Sequence, residues 1–572
     1  MIRALGALDT VIESIEDLRK FKSDIYLQGQ IAGRLQFIKE TLGDRVAPQA
    51  KHDSKGQKER ECYEGTREEV LDEIQLWART RSETKNCWWI TGKPGVGKST
   101  IGARVAEIFE DEKSLYAQYF VTRNIAVTTD SDNILPTMAE QLAKKSPLAA
   151  LFIQDILERT PPSAVKKLSD RQAQVLLLEP LRAIAQYVPK IVVVIDGVDE
   201  LAKAELSVPS NVTPILSKVT SVLCSIVSDL PTNVKILIFS RPEQTITAEI
   251  PPHIKRLDLA TEDSINDVDR LVRATLRELA KVHNWSDWPS ERQVSLLSRN
   301  AAGHLGWAAI ALRWIAGQIE YEGSARRDEA IEEVSQLGMG ELYELYAFIL
   351  LRILPPSKDS ARERYLKGFK KVLGCFVVLQ QPLDIASISM LLSPCLDDFD
   401  VMHCMRRISS IIVDGTESLT ERTVPRLHKS VVDYLVSGSP HPGLRINLTE
   451  QHHSLTTTCF KNIQRLTFNV GHIKTSHQLD ENLKFSSLSQ GIIYPCQFLG
   501  RHLQNGGERA TLVSDIEKFL KNGFLQWLEV LSLQKLVDSV AVSTLKILKE
   551  QIKVGIHLFF YPIWRLRLLG QE

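Results

Sequence analysis

Cys87-Trp88-Trp89-Ile90-Thr91-Gly92-Lys93-Pro94-Gly95-Val96-Gly97-Lys98-Ser99-Thr100 reads as a short buried strand, a glycine-rich turn and the first turn of a helix. The spacing from Gly92 to Gly97-Lys98-Ser99 is G-x-x-x-x-G-K-[ST], the pattern of a loop that cradles phosphates. The residue types follow from that task. Gly92, Gly95 and Gly97 can take backbone angles closed to other residues, so successive N–H groups can turn inward on an anion. The helix starting near Lys98 adds unpaired N–H groups and its positive dipole end. Lys98 supplies a point charge for the outer phosphates, and the Ser99 hydroxyl is the expected Mg²⁺ ligand. Lys93, Pro94, Val96 and Thr100 complete the candidate nucleotide-binding loop. Ile101, Val105, Ile108 and Phe109 continue at helical spacing, so the strand–loop–helix context of the motif is present.

A second stretch matches the first. Ile191-Val192-Val193-Val194-Ile195-Asp196-Gly197-Val198-Asp199-Glu200 opens on five β-branched residues. Such a run implies a strand buried on both faces, as in a parallel sheet. Acidic residues at the C-terminal end of such a strand lie where open α/β sheets bind ligands. Asp196 is the expected carboxylate for Mg²⁺, reached directly or through water. Asp199 and Glu200 follow within one turn. Glu200 is the first candidate to orient an attacking water, and Asp199 the second. Val234-Lys235-Ile236-Leu237-Ile238-Phe239-Ser240-Arg241-Pro242 is another buried strand, and Arg241 at its end can sense a γ-phosphate. Ala117–Val121 and Ile254–Leu259 read as the remaining strands. The fold class is therefore an α/β phosphate-binding-loop domain with a parallel sheet flanked by helices.

Upstream, residues 1–45 read as a helical arm, with Leu5, Leu8, Ile12, Ile15 and Leu18 at three/four spacing. This arm either packs on the main body or pairs with a partner. Residues 46–60 are polar and read as a linker. Thr66 and Glu69 have capping-box spacing before a helix carrying Val70, Leu71, Ile74 and Trp77. The helix over 167–187 carries Val175, Leu178, Leu181 and Ile184. From 262 onward the pattern is helical. The exception is a candidate hairpin, Ile411-Ile412-Val413 and Val424-Pro425-Arg426-Leu427 around Asp414-Gly415, following helices near 365–379, 384–392 and 400–408. That combination suggests a winged helix. The expected domains are an arm (1–45), a linker (46–60), a nucleotide-binding domain (61–260), a helical domain (261–361), a winged-helix-like domain (362–440) and a C-terminal helical region (441–572).

Composition narrows the function. The chain has 572 residues with 44% hydrophobic and 24% charged content, which is ordinary for globular domains. Lys+Arg and Asp+Glu are equal at 70 each, which argues against a mainly electrostatic partner such as duplex DNA. Eight cysteines without a C-x-x-C pair point to free thiols in a reducing, cytoplasmic compartment and to no zinc site. His452-His453 and His403-Cys404 lack metal-site spacing. The sequence carries no signal-peptide pattern and no apolar run of about 18 residues, so no transmembrane segment is expected.

Taken together, Gly92–Ser99, Asp196-Gly197-Val198-Asp199-Glu200, Ser240-Arg241-Pro242 and His428-Lys429-Ser430-Val431-Val432-Asp433-Tyr434-Leu435 resemble a fungal NACHT domain. NACHT proteins belong to the STAND class of signal-transducing P-loop ATPases and are related to NOD-like receptors. The nucleotide half is similar to the N-terminal region of nephrocystin-3-like proteins. Val431 stands where the family usually has phenylalanine. The resemblance implies ATP or ADP with Mg²⁺ as cofactors, GTP being the alternative nucleotide. It implies that Thr66 and Arg67 lie beside the base and that His428 touches the phosphates of bound ADP. It also implies self-association on activation, and a role in immunity-like or self/non-self signalling. No C-terminal sensor repeat or N-terminal effector domain is visible, so effector and sensor partners stay open. Three functions compete. The first is a nucleotide switch whose slow ATP hydrolysis resets a closed ADP state. The second is a constitutive AAA+-like ATPase, and the third a non-hydrolysing scaffold that holds its nucleotide.

Overall fold

The computed structural model describes residues 29–53, 63, 65–80, 85–122, 125–201, 212–259, 264–353, 360–396, 400–412, 420, 422–438, 443–471, 488–507 and 512–552. The chain divides into two compact units, Met1–Asp263 and Ser264–Glu572.

The first unit is built on five strands: β1 (Cys87–Gly92), β2 (Leu115–Phe120), β3 (Ile191–Asp196), β4 (Val234–Phe239) and β5 (Lys255–Leu259). They form one sheet in the order β2-β3-β4-β1-β5, and every pair is parallel. Side chains alternate across a strand, so each strand feeds two cores. Trp88, Ile90, Val192, Val194, Leu237 and Phe239 pack with α1 (Glu68–Arg79) and α2 (Lys98–Asp111). Cys87, Trp89, Val193, Ile195, Ile236 and Ile238 face the opposite core, which includes α3 (Ile134–Lys145). Burial on both faces explains the near-continuous apolar runs of β1, β3 and β4.

The edges are treated differently. On β2, the Gln118 backbone N–H donates to Gln141 Oε1 (2.8 Å) and its carbonyl accepts from Gln141 Nε2 (3.0 Å). The Phe120 N–H donates to the Ala50 carbonyl at 3.0 Å. The stretch from 46 to 53, expected as the start of a linker, therefore closes an open sheet edge. Ala47 and Ala50 are buried, and the Ala47 N–H donates to Thr137 Oγ1. Small side chains at these positions admit the close approach that a polar-linker reading overlooks. The helix over 29–42 buries Ile38 and Leu42 in the same core, so this part of the arm packs on the body. Leu5 to Leu18 lie outside the described residues. At the other edge, β5 alternates half-buried and exposed positions before the buried Leu259 and carries Lys255 and Asp258, charges that discourage further strand pairing.

The helix expected over 167–187 is interrupted. Asp170–Ala173 and Glu179–Ala185 are α-helical, but Gln174–Leu178 between them is a π-turn. Pro180 lacks an N–H and its ring crowds the carbonyl four residues back, so the ladder widens there.

The second unit is helical. Its elements include α4 (Ile265–Val282), α5 (Leu305–Glu322), α6 (Leu342–Arg352), α7 (Ser360–Val378), α8 (Lys429–Asp433), α9 (Leu448–Gln464) and α10 (Gln490–Asn505). In the C-terminal region, expected to be helical, Val513–Asn522 and Phe524–Leu533 are separate helices that meet at Gly523, followed by a π-turn at Val537–Ala541. Among the described residues the expected hairpin shows one antiparallel bridge, Ile412 to Leu427, and Ser409–Ile411 is a 3₁₀ turn rather than strand. Val413 and the Asp414-Gly415 turn lie outside the described residues. Among the described residues no helix is long and apolar enough to cross a membrane. Among the described residues seven cysteines are free, and burial raises the thiols of Cys224, Cys375 and Cys404 to about 12. They behave as small apolar groups.

His452 is a core residue. Its Nδ1 lies 2.9 Å from Nδ1 of the fully buried His502, whose Nε2 lies 2.9 Å from the Tyr494 hydroxyl. The Gln380 N–H donates to that hydroxyl at 3.0 Å. The tyrosine therefore donates to His502 Nε2, and His502 donates through Nδ1 to His452. Burial lowers the His452 pKa from 6.5 to about 4 and drives His502 well below 6.5, with Arg501 also opposing charge on His502. A histidine held neutral in the fold stabilises fully above its unfolded pKa, and that stability is lost as pH falls toward the folded one. Urea titrations should show stability falling by about 3 kcal/mol between pH 6.5 and pH 4 from His452 alone. His452→Gln, whose amide oxygen still accepts from His502, should flatten that slope; an unchanged slope would remove His452 from the acid response.

Candidate functional site

Parallel pairing sets the site. Phe120, Asp196, Phe239, Ile90 and Leu257 form one row across the sheet. The loops after these residues all leave from the same edge. Gly92 ends β1 two residues past the row, and Asp196 ends β3 on it.

The loop Lys93–Gly97 turns tightly between β1 and α2. Gly95 (φ 81°) and Gly97 (φ 94°) are left-handed, as the sequence suggests. Gly92 is required for a different reason. A Cβ there would lie 2.8 Å from Val96 Cγ2 and 3.2 Å from Leu259 Cβ. Its missing side chain lets the loop fold back on the sheet, and Val96 is buried as a plug beneath it. The Lys98 ammonium donates to the Gly92 (2.6 Å) and Lys93 (2.8 Å) carbonyls. The side chain thus arches over the loop it follows. Ser99 and Thr100 stand half-buried in the first turn of α2, and Lys93 is exposed while Pro94 is half-buried.

Thr66 and Arg67 are both buried. The expected capping box is absent. Thr66 Oγ1 donates backward to the Tyr63 carbonyl at 2.7 Å, and Arg67 is the N-cap of α1, in the left-handed region at φ 60°. Arg67 Nη2 donates to the Val96 carbonyl at 2.8 Å. The start of α1 is thereby fastened to the phosphate-loop backbone. A capping pattern read from four residues cannot register this pull from a loop 29 positions away.

Asp196, Asp199 and Glu200 are all buried. Gly197, left-handed at φ 82°, turns the chain so that Val198–Glu200 forms one 3₁₀ turn. Asp199 is committed to β4: its Oδ1 accepts from the Arg241 N–H at 3.0 Å, and its Oδ2 lies 3.4 Å from Arg241 Nε. Ser240 is anchored as well, accepting from Trp89 Nε1 at 2.8 Å and donating its N–H to the Ile90 carbonyl at 3.1 Å. The sequence singled out Asp199 and Arg241 separately and gave no sign of their pairing. The Trp89–Ser240 bond escaped it too, because both partners read as strand residues. Thr91 Oγ1 donates to Asp258 Oδ1 at 3.0 Å and ties β1 to β5 at the same edge.

His428 belongs to the second unit. It is the N-cap of α8, and its Nδ1 accepts from the Ser430 N–H. Val431 is fully buried.

The residues fit a polyphosphate bound with a divalent cation. The Gly92 cradle admits no side chain, the left-handed glycines orient N–H groups, and Lys98, Ser99 and the buried Asp196 follow or face the same edge. Among the described residues no group of three or more His, Cys, Asp or Glu forms a metal cage. Mg²⁺ needs none, since it binds through one or two protein oxygens together with phosphates and waters.

Residues 65–241 match the family described as nephrocystin 3, N-terminal, a span that runs from just before Thr66 to Arg241. No curated protein matches the chain. Several solved structures show similarity, and for two of them the likeness is one of fold alone. One is of Drosophila ORC bound to DNA, at 12% identity and a TM-score of 0.29, covering 70% of this chain and 91% of that one. The other is a Signal Transduction ATPase with Numerous Domains carrying a tetratricopeptide repeat sensor, from Pyrococcus horikoshii. It has 12% identity and a TM-score of 0.34, and covers 86% of this chain and 59% of that one.

Asp199→Ala removes the buried carboxylate that accepts from the Arg241 N–H and lies against the half-buried Arg241 guanidinium, and losing a hydrogen bond to a charged group typically costs about 1.5–3 kcal/mol. Thermal and urea unfolding of the first unit should show that loss. Asp199→Asn, which can still accept from the Arg241 N–H, should lose less. Equal stability of parent and Asp199→Ala would show that the pair anchors nothing.

Proposed function

We propose that the first unit binds ATP or ADP with Mg²⁺ and that the chain is a STAND-type nucleotide switch of the NACHT kind, with slow hydrolysis returning it to a closed ADP state. The observation that carries this reading is the glycine cradle at Gly92 set on the same sheet edge as Asp196. The similarity of residues 65–241 to the nephrocystin 3 N-terminal region supports it. Lys98 would leave the Gly92 and Lys93 carbonyls for the outer phosphates, since a charged acceptor outweighs two neutral ones. Ser99 and Asp196 would hold Mg²⁺, which neutralises phosphate charge. Thr66 and Arg67 open α1 against the loop and are the candidate wall for the base.

The Asp199–Arg241 pair divides the acidic residues by role. Asp199 positions Arg241 at the end of β4, where its cation can answer the γ-phosphate. That leaves Glu200 as the group to orient water and take its proton. His428 is the proposed link from the second unit to the phosphates of ADP. GTP remains the alternative nucleotide, and self-association on opening, an immunity-like output and a cytoplasmic setting follow from the same NACHT resemblance. Slow turnover would separate this switch from a constitutive ATPase and from a scaffold with none.

Lys98→Ala should weaken ADP by roughly 10–150-fold, the worth of a charged hydrogen bond of about 1.5–3 kcal/mol, while circular dichroism stays at the parent's value. Fluorescent-ADP titration reads it, and parental affinity would end the phosphate-loop assignment. Glu200→Gln should bind ATP as the parent does and hydrolyse it about 10²–10⁴-fold more slowly. Single-turnover rates equal to the parent's would take Glu200 out of the chemistry.

A further inference from the structure

The second unit fixes the proton on His428. Its Nδ1 accepts from the Ser430 backbone N–H (3.4 Å) and lies 2.5 Å from Ser430 Oγ. A backbone N–H can only donate, and Ser430 is fully buried, so no solvent substitutes for that acceptor. A proton on Nδ1 would set two hydrogens face to face. Nδ1 therefore carries the lone pair, and the Ser430 hydroxyl donates to it as well. The hydroxyl oxygen is in turn 2.6 Å from the Tyr346 hydroxyl. Tyr346 is fully buried, and its burial pushes the phenol well above its ordinary range, so it keeps its proton and donates to Ser430.

Rigid packing holds this chain of donors. Tyr346 sits on α6, with its ring 5.8 Å from that of Tyr434, and Tyr343 lies against Tyr434 at 5.4 Å. Arg313, on α5, is half-buried and donates to the Ile412 carbonyl at 2.9 Å, the residue that bridges to Leu427 just before His428. Tyr346 thus reaches the imidazole through Ser430, and Arg313 fastens the strand end that pairs just before it.

We infer that Tyr346 and Ser430 are positioning residues that lock His428 as the Nε2–H tautomer, which makes its outer nitrogen a hydrogen-bond donor suited to a phosphate oxygen. The Nδ1–H tautomer would present a lone pair to the phosphate and repel it. The tautomer assignment stands on the geometry of the second unit alone; its consequence for nucleotide rests on the reading of His428 as a phosphate contact.

Two measurements on the full chain test it. The first is NMR of ring-labelled histidine, with the His428 signal identified by its loss in His428→Gln. An Nε2–H signature is expected, and an Nδ1–H signature overturns the inference whatever the nucleotide does. The second is the release rate of fluorescent ADP from the parent, Ser430→Ala, Tyr346→Phe, His428→Ala and the double variants. Ser430→Ala and Tyr346→Phe should each speed release by about 3–10-fold in the parent, the scale of one neutral hydrogen bond. Neither should add to the effect of His428→Ala, because coupled residues are not additive. Equal acceleration with and without His428 would make Ser430 and Tyr346 ordinary packing residues and overturn the positioning role. Parental release from His428→Ala would instead sink the phosphate contact, leaving the tautomer to the NMR result.

Discussion

The parallel register of the sheet is the constraint on which the site depends. All five strands run the same way, so their C-terminal ends share one edge, with Phe120, Asp196, Phe239, Ile90 and Leu257 in a row. The phosphate loop, the acidic turn and the Arg241 turn hang from that row. Each is then fastened sideways: Arg67 to Val96, Asp199 to Arg241, Ser240 to Trp89 and Ile90, Thr91 to Asp258. These short polar ties between neighbouring strand ends hold the edge before any ligand arrives, which is how a site of this kind lowers the cost of ordering its groups.

Much of this was legible in the sequence because the strands are buried on both faces. A double-sided burial leaves a run such as Ile191–Ile195 no alternative reading, and a glycine-rich turn before an apolar-periodic helix needs only local spacing to be seen. What the sequence hid is long-range. Asp199 and Arg241 are 42 positions apart, and their pairing exists only because β3 and β4 are neighbours. Gly92 looked like a conformational glycine and proved to be a packing one, because Val96 folds back from its own loop and Leu259 arrives from β5. Ala47 and Ala50 looked like linker because their role is to leave room, which no propensity records. The capping box at Thr66 failed because the loop at Val96 pulls Arg67 into an unusual conformation. Pro180 was visible, yet its effect was one of ladder geometry rather than of helix content.

The second unit was less legible for a physical reason. Helical units with mixed apolar faces share one periodicity, so their boundaries and partners are not coded locally. His428 stood out by its neighbours in sequence, but what sets its chemistry is Tyr346, 84 positions upstream of Ser430. The buried His452–His502–Tyr494 chain was likewise invisible from spacing. Both clusters are cases in which satisfying a buried polar group fixes the direction of every hydrogen bond in the set.

The central claim is that the edge of the parallel sheet holds a nucleotide. The most direct measurement is to denature the purified full-length chain and quantify the nucleotide released, after incubation with millimolar Mg²⁺-ADP and removal of the unbound fraction. One nucleotide per chain is the predicted result. A chain that carries none and takes up none would contradict the site at Gly92–Ser99 and, with it, the switch.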